Sequence, residues 1–108
     1  MAAKDLKMFI LISGQEIIGE LVHAIDPVQP DAFVIKHALV VQLVPRGPDS
    51  YGIGLLPLSP TNAEGEQRVY NRAVASECVT IPEDLVNSYI QRTTNIEIAS
   101  AASLIQLN

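Results

Sequence analysis

Apolar residues in this chain come in short runs, each closed by a cluster of glycine, proline or aspartate, and only one stretch carries helical spacing. That pattern points to a small β-rich fold. Residues 6–13, LKMFILIS, put Leu6, Met8, Ile10 and Ile12 on one face and Phe9 and Leu11 on the other. Apolar residues on both faces predict burial on two sides. SGQE then predicts a tight turn in which Gly14 takes a positive φ. A second strand is expected over 16–25, with Ile17, Gly19, Leu21, His23 and Ile25 alternating with Glu16, Ile18, Glu20, Val22 and Ala24. Glycine inside a strand costs stability and usually marks a bulge, a bend or a close backbone approach. Gly19 therefore predicts a second strand bent hard enough to serve two sheets, as small barrels require.

DPVQPD at 26–31 breaks the pattern with two prolines. Residues 32–44, AFVIKHALVVQLV, are the longest strand candidate. Residues 51–58, YGIGLLPL, place Gly52 and Gly54 on one face, leaving room for a neighbouring backbone or a large side chain. After SPTNAEGEQ, a shorter strand is expected within 68–81, mainly 74–81, although NRAVASE is also compatible with a helix. The period then changes. Thr80 stands three residues before Glu83, the spacing of a capping box, and Pro82 suits a first helical turn. Because Ile81 precedes that proline and resists helical geometry, Ile81 itself is an alternative cap. Leu85, Val86, Tyr89 and Ile90 form an apolar stripe at helical spacing, and Arg92 suits the negative end of the helix dipole. A helix over 82–92 follows, while the tail 93–108 fits either strand or helix. One domain over 1–108 is expected: a small, strongly bent five-stranded antiparallel barrel over 6–81 with one C-terminal helix.

Hydrophobic residues make up 48% of the 108 positions and charged residues 18%, which excludes a disordered chain. The longest apolar runs, such as MFILI, are too short to span a bilayer, and no signal-peptide pattern opens the sequence. Cys78 is the single cysteine, so no internal disulfide can form, and a reducing, cytoplasmic setting is expected. Seven Lys and Arg against twelve Asp and Glu give a net charge of −5. The cations are scattered, which argues against strong non-specific nucleic-acid binding.

Catalytic and metal-binding patterns are hard to find. His23 and His37 could be metal ligands if their strands pair, but no third donor stands at ligand spacing. Glu16 and Glu20 lie ~13 Å apart along a strand, too far for shared acid–base work, and a solvated face is expected for them. YGIGLL lacks the rest of a phosphate-loop pattern. Ser13, Ser50, Ser59 and Cys78 have no base in a recognisable arrangement. The expectation is a non-enzyme with no cofactor, no metal site and no small-molecule substrate.

The stretch IIGELVHAID resembles the first motif of the Sm/LSm family, which includes the Hfq-type proteins, with Ile17, Gly19, Leu21 and Asp26 at the matching positions. MFILISGQEIIGE, GIGLLPLSP and PEDLVNSY also resemble Sm-like proteins from phages and marine environments that have no assigned function. Together these stretches cover most of the chain. The resemblance implies a small, strongly bent five-stranded barrel that assembles into homo-oligomeric rings and binds RNA. The RNA-binding positions depart from the family pattern. Asp26 falls one residue later than the family spacing, and PVQPDAF stands where an asparagine would seat a base. The second motif's Ile-Arg-Gly is approached only by NRAV, so Asn71 and Arg72 are the candidate nucleic-acid residues. The helix also follows the last strand, whereas in the family it precedes the first. Two functions are therefore expected. The first is a ring-forming structural or interaction protein of phage type, and the alternative is a weak RNA-binding module.

Overall fold

The structure, a computed structural model, describes residues 5–62 and 65–106, with side chains described as far as Thr94. It contains β1 (Leu6–Leu11), β2 (Glu16–His23), β3 (Ala32–Gly47), β4 (Ser50–Pro57), β5 (Glu66–Tyr70), β6 (Val74–Glu77) and α1 (Glu83–Gln106), and a 3₁₀ turn at Asn71–Ala73 joins β5 to β6. The fold is mainly β, with six antiparallel strands in one sheet and a C-terminal helix. The strand order is β4-β3-β2-β1-β6, and β5 also pairs with β3.

Three expectations need correction. There are six strands in place of five, because the 3₁₀ turn splits the 68–81 segment into β5 and β6. The sheet is open, since no ladder joins β6 to β4 or β5 among the described residues. The helix does not stop at Arg92 but runs to Gln106, which places Arg92 mid-helix with no basic residue in the last turn.

β3 organises the sheet. Its first half, from Ala32 to Lys36, pairs with β5, and its second half, from Leu39 to Gly47, pairs with β4. Between the halves the ladder to β2 slips: Ile18 faces Leu39 while Glu20 faces Lys36, so β3 carries one extra residue. His37 takes up that residue at φ 52°, in the left-handed region that histidine enters more readily than most side chains. Gly19 lies opposite. A Cβ there would stand 3.2 Å from Ile35 Cδ1 and 3.3 Å from the Lys36 carbonyl oxygen, so the glycine admits the close approach of the bulged strand. The main bend thus belongs to the third strand, with Gly19 accommodating it. β2 bends as well, where Leu21 faces Ile35 and His23 faces Val34.

Both faces of the sheet are buried, as the apolar alternation of β1 predicts. One face gathers Phe9, Ile17, Ile35, Ala38, Val40 and Val69. The other packs Met8, Ile18 and Leu39 against Leu85 and Tyr89 of α1. Thr93 continues the helix's buried stripe, while Val86 and Ile90 are half-buried. The first helical bonds run from the Leu85 and Val86 amides to the Pro82 carbonyl.

Candidate interaction surface

The loop from 24 to 31 is tied to one end of the sheet by hydrogen bonds and an ion pair. Asp26 is buried, accepts a 3.0 Å hydrogen bond from the Val28 amide and pairs with the Arg68 guanidinium. The Val28 amide contributes most, and Arg68 next, to holding the Asp26 carboxyl below its usual range; the same pairing raises Arg68. The motif-like acid is therefore a structural tie between β2 and β5 and does not reach the candidate residues Asn71 and Arg72. Its partner lies 42 residues away, beyond the reach of spacing arguments.

Asn71 and Arg72 occupy the 3₁₀ turn, and both are exposed. The Asn71 amide donates to the Asp31 carbonyl. The Arg72 guanidinium lies 4.7 Å from the Tyr70 ring centroid and 3.9 Å from the Asp31 carboxylate. This turn is bonded to the 24–31 loop, and its cation already has a carboxylate and an aromatic face as neighbours.

Beside the turn lies a cleft of about 410 Å³ with an apolar floor of Phe9, Leu21, Phe33 and Val74. The two phenyl rings meet at 4.8 Å between centroids, tilted by 50°. Lys7 and Glu77, 3.9 Å apart, stand at its polar margin. Nothing in the sequence pattern singled out this cleft, because it joins residues from β1, β2, β3 and β6.

The histidines are not brought together: His23 is exposed at the end of β2, and His37 is buried at the bulge. No group of three or more His, Cys, Asp or Glu side chains that could hold a metal stands together among the described residues. Glu20 does not lie on a solvated face as expected. It is buried, 3.6 Å from Lys36 Nζ and 3.8 Å from His37 Nδ1, because Ile18 and Glu20 share the face that α1 covers.

The two ends of the strand order complete the surface. Among the described residues β4 has no partner strand on its outer edge and bears no charged residue, and β6 has no partner on its outer edge and carries only Glu77. Exposed hydrophobic residues cluster at both: Leu43, Tyr51, Ile53 and Leu56 around β4, and Ile12 and Val79 around β6. No helix among the described residues is long and apolar enough to cross a membrane. No protein-family model matches the chain, and no curated protein aligns with it significantly.

Proposed function

We propose that this chain is a self-assembling interaction module of the Sm-like type, in which the β4 edge of one copy pairs with the β6 edge of the next. One observation carries this reading: the sheet ends in two edges, β4 without a charged residue and β6 with Glu77 alone, that are flanked by exposed apolar side chains. Unpaired edge strands expose backbone donors and acceptors that promote pairing, and proteins that remain monomeric usually blunt them with charge, proline or bulges. Two different edges meeting head to tail close into a ring when the rotation permits.

The strand order supports the Sm-like reading. β4 and β5 lie along the same edge of β3 and together fill one position, giving five positions across the sheet. β5 and β6 stand at opposite ends of that order, yet three residues join them, so the sheet curls back upon itself. Light scattering on a gel-filtration column tests the proposal. A multimer is expected at micromolar concentration, and a clean monomer refutes it. A second reading, weak RNA binding at Asn71 and Arg72, rests on their exposure on one turn beside the cleft.

A further inference from the structure

We propose that the cleft beside β6 is a site for a free α-amino acid with a large apolar side chain, its carboxylate on Lys7 and its ammonium on Glu77. The site is built within one chain, from side chains on the inner face of the sheet. It depends on neither sheet edge and goes beyond the assembly proposed above.

Side-chain parity brings the parts together. Side chains alternate between the faces of a strand, and directly opposed residues of an antiparallel ladder share a face. Lys7 stands two positions before Phe9 on β1, and Glu77 of β6 lies directly opposite Phe9. All three therefore project from the side of the sheet that carries the core of Phe9, Ile17 and Ile35. Charged side chains are rare on an inward face, because removing a charge from water is costly. Here the open cleft lets both charges keep solvent. The Lys7 side chain is 36% exposed and that of Glu77 53%, above a Phe9 that is only 4% exposed. The result is an apolar floor with one charge of each sign at its margin.

Each feature narrows the ligand. At about 410 Å³ the cleft falls near the lower end of small-molecule sites, which run from roughly 300 to 1,000 Å³. A single amino acid suits that space better than a long ligand does. The tilted Phe9–Phe33 pair offers ring surface to an aromatic or branched apolar group. At 3.9 Å, the Lys7 ammonium and the Glu77 carboxylate attract each other without reaching hydrogen-bond length. Both can therefore bond a third group. An α-amino acid carries its ammonium and carboxylate on one carbon, which matches two opposite charges held side by side. Bridging the pair replaces one long contact by two short ones and leaves every charge with a partner. A plain amine brings its charge against Lys7. A plain acid or a phosphate meets Glu77 and also Asp5, whose carboxylate lies 3.8 Å from the Lys7 ammonium. The selectivity thus comes from what the margin repels as well as from what it holds.

The test uses the full chain with L-phenylalanine as the probe, followed through the amide resonances of isotope-labelled protein. At neutral pH, saturable shifts are expected at Lys7, Phe9, Phe33, Val74 and Glu77, with half-saturation at ~1 mM. Glycine lacks the side chain, and phenethylamine and phenylpropionate each lack one charge. All three are expected to bind roughly tenfold more weakly. Lys7→Gln and Glu77→Gln change side chains that already reach solvent, and the amide spectrum reports that each variant keeps its fold. Lys7→Gln is expected to erase the advantage of L-phenylalanine over phenethylamine, since the carboxylate loses its partner. Glu77→Gln is expected to erase the advantage over phenylpropionate in the same way. A merely structural role for the Lys7–Glu77 pair would weaken every probe alike in both variants, and that result overturns the proposal. So do shifts that fail to saturate, shifts that lie away from the cleft, and one-charge analogues that bind the wild type as tightly as L-phenylalanine. None of these outcomes bears on edge pairing, which light scattering reads separately.

Discussion

Gly19 and His37 form one device across the β2–β3 ladder: the extra residue kinks β3, and the missing Cβ opposite lets the kinked backbone close in. With 3.2–3.4 Å between an added Cβ and Ile35 or the Lys36 carbonyl, valine has no room unless β3 shifts. Gly19→Val is expected to lower stability by about 1–3 kcal/mol, read from chemical denaturation. An unchanged unfolding midpoint would remove the reason given for this glycine. Asp26 makes a prediction of a different kind. Its carboxyl is held below the ordinary value of 3.8, first by the Val28 amide and then by Arg68. A depressed folded-state value means that the stabilisation is complete above pH 3.8 and is lost as the pH falls through the lower folded value. Asp26→Asn should therefore melt below the wild type at neutral pH, and the gap should narrow as the pH drops below 3.8. A gap that stays constant into acid would show that the Asp26 charge is not what ties this loop.

At the scale of elements, α1 does more than cover a face. Leu85 and Tyr89 are buried against Met8, Ile18 and Leu39, and the Tyr89 hydroxyl donates 2.9 Å to the carbonyl of His37, so the helix holds the bulged residue in place. Leu85→Ala is expected to cost ~2–5 kcal/mol, because it opens a cavity beneath the helix. Tyr89→Phe keeps the packing and removes the hydrogen bond, for a smaller loss of ~1 kcal/mol. Equal losses for the two would mean that the bond to His37, and not the packing, fixes the helix. Much of this level was legible in the sequence. The runs beginning at Leu6, Glu16 and Ala32 and the YGIGLLPL segment fall within a residue or a few of the observed strands, and the Leu85–Tyr89 stripe faces the core. What escaped depends on distant partners. His37 sits in an unbroken β-favouring run that gives no local sign of a bulge. Glu20 is polar on a face whose cover comes from a helix more than 60 positions later. NIEIASAAS has a strand-like alternation, yet the chain continues as helix through it, since helical bonds already formed upstream make extension easier than a new start. The cleft could not be read at all, because four strands assemble it.

For the whole molecule, the balance of charge decides how far the Sm resemblance reaches toward RNA. Six of the seven Lys and Arg residues are described, and four of them already stand within 4 Å of a carboxylate: Lys7 with Asp5 and Glu77, Lys36 with Glu20, Arg68 with Asp26, and Arg72 with Asp31. A phosphate must compete with those carboxylates before any counterion release contributes. The net charge of −5 is repeated in every copy of an assembly, so ring formation multiplies the repulsion felt by a polyanion. Asp26, which sits where the resemblance places an RNA-site acid, is buried against Arg68. Of the positions that the resemblance marks, the turn at Asn71 and Arg72 remains for contact with a strand, with the Tyr70 ring beneath the guanidinium. Binding to a short uridine-rich RNA is therefore expected to be weaker than micromolar at low salt. With some two or three phosphates neutralised, it should fall roughly tenfold between about 50 and about 200 mM salt. Arg72→Ala should remove most of what is seen. Fluorescence anisotropy across a salt series measures all three quantities. Sub-micromolar affinity that survives at physiological salt would mean that assembly gathers Arg46, Arg72 and Arg92 of several copies around one basic opening, and the module would then be an RNA-binding ring.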